Sequence, residues 1–135
     1  MLLFGQPKDG NITGNTEEVM NEFKVLTRES GSAVVMELHG FLDAHTAPDL
    51  EKTFTELMAK GKYNIVVNFN ALNYISSAGL GVFMAYIDEV RNNHGDIKLA
   101  NMQQKVFNVF DLLGFPYLYE IYKDQEDALR KFDSR

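Results

Sequence analysis

Two serines, Ser76 and Ser77, stand side by side in the stretch Tyr74-Ile75-Ser76-Ser77-Ala78-Gly79-Leu80-Gly81-Val82. Adjacent hydroxyls invite a hydrolase reading, in which one of them attacks an ester or anhydride. A nucleophile elbow needs Gly-x-Ser-x-Gly so that its sharp turn fits. Around Ser77 the first glycine place holds Ile75 and Gly79 alone matches; around Ser76 the two places hold Tyr74 and Ala78. The candidate bases are His39, His45 and His94, and none sits in a catalytic setting. There is no phosphate-cradling glycine loop and no His/Asp/Glu grouping with metal-ligand spacing, so neither a cofactor nor a metal is expected. The acids at Glu17, Glu18, Asp124 and Asp127 read as solvated or capping charge.

The neighbouring segments suggest another use. Residues 65–69, Ile-Val-Val-Asn-Phe, read as a strand, and 77–93 as a helix with Leu80, Phe83, Met84 and Ile87 on its core stripe. The serines therefore lie where a strand hands over to a helix. A helix start exposes backbone N–H groups and the positive end of the dipole. Such a place can hold a phosphate or let a partner come close. Serine is also favoured there simply as a cap. Capping leaves Gly79 and Gly81 unexplained, because glycine in a helix costs about 0.5–1 kcal/mol relative to alanine. Their presence implies a close approach, by a neighbouring loop of the same fold or by a partner protein. Val82 and Tyr86 broaden the helix's apolar face, either as part of a well-buried helix or as partner surface beside Ser77.

The remaining pattern predicts strands over 23–27 and 33–39, joined as a hairpin by Glu29-Ser30-Gly31-Ser32. Residues 40–45 read as a loop. Thr46 is placed as an N-cap with Pro48 in the first turn, opening a helix that stops at Gly61. Ala47, Leu50, Phe54, Leu57 and Met58 fall on one face of it. Strands follow over 64–69 and 97–100. Asn101 is placed as the cap of a helix carrying Val106, Val109, Phe110 and Leu113 inward, closed by Gly114 and Pro116. A last strand is predicted over 117–122. Asp124 then caps a short helix that turns Ala128, Leu129 and Phe132 inward. Strands alternating with helices give an α/β fold with a mainly parallel central sheet and four helices. The N-terminal hairpin makes that sheet mixed. Residues 1–21, with Gly5, Gly10 and Gly14, read as a flexible leader ahead of one domain over 22–135.

A length of 135 residues can bury a proper core. A net charge of −6 argues against a sequence-independent hold on nucleic acid. The chain has no cysteine, which fits a reducing compartment. No apolar run approaches the ~18 residues of a membrane span, and Met1-Leu2-Leu3-Phe4 is too short for a signal-peptide core. A cytoplasmic protein is expected, with neither a membrane nor nucleic acid as direct partner.

Over about 22–132 the chain resembles the STAS domain, and within it the bacterial anti-sigma factor antagonists. Gly40-Phe41-Leu42-Asp43-Ala44 with Thr46-Ala47-Pro48-Asp49-Leu50 is similar to the family's first loop and helix start. Asn68 through Val82 is similar to its phosphorylation loop. Leu113-Gly114-Phe115, Ile121 and Ala128-Leu129 are similar to its C-terminal end. The resemblance implies a binding module rather than an enzyme. Such antagonists bind an anti-sigma factor that is also a serine kinase, and a sigma factor is thereby released. The kinase phosphorylates the antagonist, the complex separates, and a PP2C-type phosphatase restores the first state. Carried over, Ser77 is the acceptor, with Ser76 as its alternative, and Asp43 matches a loop acid near the acceptor. The implied partner-binding residues are Asp43, Thr46, Ser76, Ser77, Ala78, Gly79 and Val82. Asn68 departs from the aspartate of many members. An adaptor subunit of a lipid-transport or signalling complex, without a phosphorylation switch, is the alternative. The oligomeric state is left open.

Overall fold

The computed structural model describes residues 22–133. The expected leader over 1–21 lies outside them. In chain order the elements are β1 (Lys24–Ser30), β2 (Ala33–Leu42), α1 (Ala47–Ala59), β3 (Asn64–Ile75) and α2 (Ser77–Asn92). Then come β4 (Asp96–Ala100), α3 (Gln104–Leu112), a 3-10 turn (Phe115–Tyr117), β5 (Ile121–Tyr122) and α4 (Gln125–Asp133). The sheet order follows the chain, β1-β2-β3-β4-β5. β1 and β2 pair antiparallel, and each later neighbour pairs parallel. This is the mixed, mainly parallel sheet that the alternation of elements predicts.

Side chains alternate across the sheet, and the two faces are covered unequally. Met36, Leu38, Val67, Phe69 and Leu99 point into the larger core, where Leu50 and Phe54 of α1, Phe83 of α2 and Phe110 of α3 meet them. Phe83 touches Phe54, Phe69 and Phe110 in tilted or edge-on arrangements. Val35, Val66 and Ala100 face the other way, onto Ala128, Leu129 and Phe132 of α4.

Several expectations are corrected. β2 and β3 run on to Leu42 and Ile75, through segments read as loops. Their pairing with each other holds the backbone extended even where polar residues interrupt the apolar pattern. The strand expected over 117–122 shrinks to Ile121–Tyr122. Gly114 takes a left-handed φ of 78°, the 3-10 turn Phe115–Tyr117 follows with Pro116 inside it, and Tyr119 turns inward. Its hydroxyl donates to the Phe83 carbonyl at 2.6 Å and its ring stacks on Phe115. Asn101 does not cap α3. It has a left-handed φ of 61°, and Gln103 occupies the N-cap position. Leu113, expected inside, is 56% exposed because α3 has ended before it. The capping role read for Asp124 is present: its Oδ1 accepts from the Asp127 amide at 3.0 Å.

Candidate functional site

β2 and β3 end together, with Leu42 opposite Ile75. The Ser76 amide then donates to the Leu42 carbonyl at 2.9 Å, pinning the start of α2 to the end of β2. Ser76 is extended, with φ −102° and ψ 174°, and forms the N-cap. Its Oγ accepts from the Gly79 amide at 3.4 Å, a long bond. Capping is therefore the work of Ser76. Ser77 is the first helical residue; it is exposed, and its hydroxyl engages no partner among the described residues. The two neighbouring serines thus have different environments, one tied and half-buried, the other free at the positive end of a helix of 16 residues.

The two glycines divide as well. A Cβ at Gly79 would lie 2.7 Å from Leu42 Cγ and 3.1 Å from Ile75 Cγ1. Gly79 is buried, so its close approach is internal: it lets the first turn of α2 rest on the ends of β2 and β3. The expectation of a partner at Gly79 therefore meets a residue whose visible close approach is to its own fold. A Cβ at Gly81 would meet nothing within 4 Å, and Gly81 is exposed. Val82 is 3% exposed and packed in the main core, in line with the buried-helix reading of the two offered for it, while Met84, expected inside, is 47% exposed. α2 packs on α1 as well as on the sheet, with Tyr86 stacked on Phe54, so the buried arc turns toward Val82 and away from Met84. Burial, then the charges of Glu51 and Glu89, raise the Tyr86 pKa. The outward stripe of α2 is Ser77, Gly81 and Met84, at helical spacing.

Beside this helix start, residues 43–46 form a wired turn. Asp43 Oδ1 accepts from the amides of His45 (2.9 Å) and Thr46 (3.1 Å). Thr46 Oγ1 accepts from the Asp43 amide and donates to the Phe41 carbonyl, both at 2.9 Å. Thr46 stands at the N-cap of α1 but makes no side-chain cap bond, because its hydroxyl is turned back into the loop. The turn is thereby fixed next to Leu42, whose carbonyl holds Ser76. Phe41 and Tyr74 stand opposite each other one step earlier, with rings 5.8 Å apart, and are 38% and 48% exposed. Reasoning from the sequence gave this pair and Met84 no surface role; an aromatic just ahead of each of two adjacent loops is the signal that marks the pair.

The sequence profile of the STAS domain matches residues 24–128. The chain belongs to the STAS domain family. BtrV of Bordetella bronchiseptica, which carries the provisional name of anti-sigma factor antagonist, is 30% identical over 95 residues, covering 70% of this chain and 82% of the relative. In fold, the domain matches the crystal structure of an anti-sigma factor antagonist from Mycobacterium paratuberculosis with a TM-score of 0.76 at 21% identity, over 82% of this chain and 94% of that one. It also matches the Bacillus cell fate determinant SpoIIAA in its phosphorylated form, with a TM-score of 0.64 at 22% identity, over 82% and 99% of the two chains.

In this STAS domain Asn68, the departure from the family pattern, is 9% exposed and satisfied on both sides. Its Nδ2 donates to Gln125 Oε1 at 2.8 Å, and its Oδ1 accepts from the Asn70 amide at 2.8 Å. The amide joins β3 to the first residue of α4, on the sheet face away from α2. An aspartate could not donate to Gln125, so Asn68 and Gln125 suit one another.

Proposed function

We propose that this protein is an anti-sigma factor antagonist. It sequesters an anti-sigma factor that is also a serine kinase, and phosphorylation of Ser77 releases it. The observation that carries the reading is the division of labour at the helix start: Ser76 caps α2 and leaves the Ser77 hydroxyl exposed and free. Around it lie the fixed Asp43–Thr46 turn, the exposed Ala78 and Gly81, and the Phe41–Tyr74 pair. These residues supply a contact surface in which an open glycine lets a partner's backbone come near.

The switch follows from electrostatics. A phosphate on Ser77 adds about −1.5 to −2 charges and three acceptor oxygens. At a helix N-terminus an anion is favoured by roughly 0.3–1 kcal/mol, so α2 has no cause to unwind. In the complex, the same charge would be wedged into a packed, partly dry interface, with Asp43 adding repulsion. A loss of about 2.8 kcal/mol weakens binding a hundredfold. A PP2C-type phosphatase would return the protein to its binding state. In this scheme the protein binds and is modified, in the cytoplasm, and performs no catalysis. Among the described residues no helix is long and apolar enough to cross a membrane.

A pull-down with unmodified protein, followed by incubation with ATP and mass spectrometry of Ser76 and Ser77, tests the reading. It expects recovery of an anti-sigma kinase, phosphate on Ser77, and release. Recovery of a transporter or signalling subunit with no ATP-dependent release would favour the adaptor alternative, and phosphate on Ser76 would move the acceptor.

A further inference from the structure

The sheet ends at β5, which pairs with β4 on one side and presents its other edge. Such an edge carries unpaired backbone N–H and C=O groups and invites an added strand. Beside it runs an open groove of about 890 Å³, whose apolar lining comes from Met102, Phe107 of α3, Pro116 of the 3-10 turn and Ile121 of β5. Its polar side chains are largely engaged elsewhere. The Tyr119 hydroxyl donates to the Phe83 carbonyl, Gln104 Nε2 donates to Asn108 Oδ1, and the Glu120 carboxylate accepts from Lys98 and Tyr122. What the groove offers is a short strand edge and an apolar wall. These suit a short, extended, apolar segment of chain better than a small polar ligand.

The chain itself contains such a segment. Met1-Leu2-Leu3-Phe4 is four apolar residues in a row, whereas in residues 5–21 Ile12, Val19 and Met20 are scattered among polar residues and glycines. The register across the sheet shows where the connection must run. Leu26 is level with Glu37, Glu37 with Asn68, Asn68 with Ala100, and Ala100 with Tyr122. Lys24 lies opposite His39, beyond that line toward the carboxyl ends of the parallel strands. The chain therefore enters β1 at the end of the sheet where the groove lies. Four strand spacings separate β1 from β5, about 19 Å. Residues 5–21 number seventeen; fully extended, such a length reaches roughly 56–61 Å. A loose chain of that length spans about 21–25 Å on average. A tether whose mean span matches the distance to be covered gives its end an effective concentration on the order of millimolar. A second copy would compete with that only at its own, lower concentration in solution.

We propose that Met1-Leu2-Leu3-Phe4 docks in this groove as an added strand on the free edge of β5, so that the chain covers its own sheet edge. Alternate side chains of the run then enter the groove against Phe107 and Ile121. The chain has no cysteine, so Gly5→Cys carries a single nitroxide on the ¹⁵N-labelled full chain. Amide signals of 104–107 and 119–123 are expected to lose intensity, and to recover when the nitroxide is reduced. Leu3→Asp combined with Phe4→Asp puts a charge on both faces of the run and leaves every described residue intact. These aspartates should restore the groove signals with the nitroxide still active. A mixture of labelled chain lacking the nitroxide and unlabelled chain carrying it should show no loss at those positions. No loss at the groove, or a loss that the aspartates do not relieve, would overturn the proposal. So would an equal loss in the mixture, which would assign the groove to a second copy.

Discussion

Ser76 and Ser77 differ by one position and by one hydrogen bond, and that bond decides their roles. Ser76→Ala removes the cap on Gly79 and should cost about 0.5–1 kcal/mol, the low end for an N-cap because the bond is long at 3.4 Å. Urea denaturation measures this cost, and Ser77 should still accept phosphate in the variant. The glycines make a sharper pair. Gly79→Ala drives a methyl onto Leu42 and Ile75 and should destabilise by about 1–3 kcal/mol through overpacking. Gly81→Ala meets open space and should stabilise by about 0.5–1 kcal/mol through helix propensity. If Gly81 is there for a partner's approach, the stabler variant binds its partner less well. Thermal melts alongside binding titrations separate the two effects.

At the scale of elements, α4 meets the sheet through apolar contact and through the Phe132 ring, over which a buried lysine of β4 lies. Lys98, 3% exposed, reaches Asp96 at 3.0 Å and Glu120 at 2.8 Å, and lies over the Phe132 ring at 4.7 Å. The hydrogen bond from Lys98, then that from Tyr122, holds the Glu120 carboxyl below the usual glutamate pKa. A group lowered in the folded state contributes stability above its unfolded pKa and loses it as pH falls through the folded one. Glu120→Gln should therefore be less stable than the parent at neutral pH, and the gap should close in acid, below the ordinary glutamate pKa. Denaturation series across pH report that difference. The same scale shows what the sequence could and could not tell. Ala47, Leu50, Phe54, Leu57 and Met58 are spaced for one buried face and all five are buried. Met84 falls outside the core and Val82 inside it because periodicity reports an apolar arc but not which neighbour it meets, and α1 had to be in place before the arc could be oriented. The last strand fails because the alternation of Tyr117 to Tyr122 carries no sign that Tyr119 will turn to the Phe83 carbonyl. At the site, the place of Ser76-Ser77 at a strand-to-helix step, with a serine as cap, was legible from local types. The contact of Gly79 with Leu42 was not, since it joins residues 37 positions apart in the chain, and neither was the extra residue that β3 carries between Asn68 and Ala71.

For the molecule as a whole, the proposed switch would work by changing a surface and not a shape. The core beneath Ser77 is continuous, with Leu80, Phe83, Phe54, Phe69 and Phe110 all buried, and nothing in it depends on the exposed hydroxyl. Phosphorylated protein should keep its far-UV circular dichroism and its amide spectrum away from 74–81, and its melting temperature should hold or rise slightly through the helix dipole. Loss of α2 signals on phosphorylation would point instead to a refolding switch. The central claim concerns affinity, so isothermal titration of the isolated anti-sigma partner with unmodified protein, Ser77-phosphorylated protein and Ser77→Ala tests it most directly. Unmodified protein and Ser77→Ala should bind alike, and the phosphorylated form should bind about a hundredfold more weakly or worse. Equal affinity of the phosphorylated and unmodified forms would contradict the electrostatic switch.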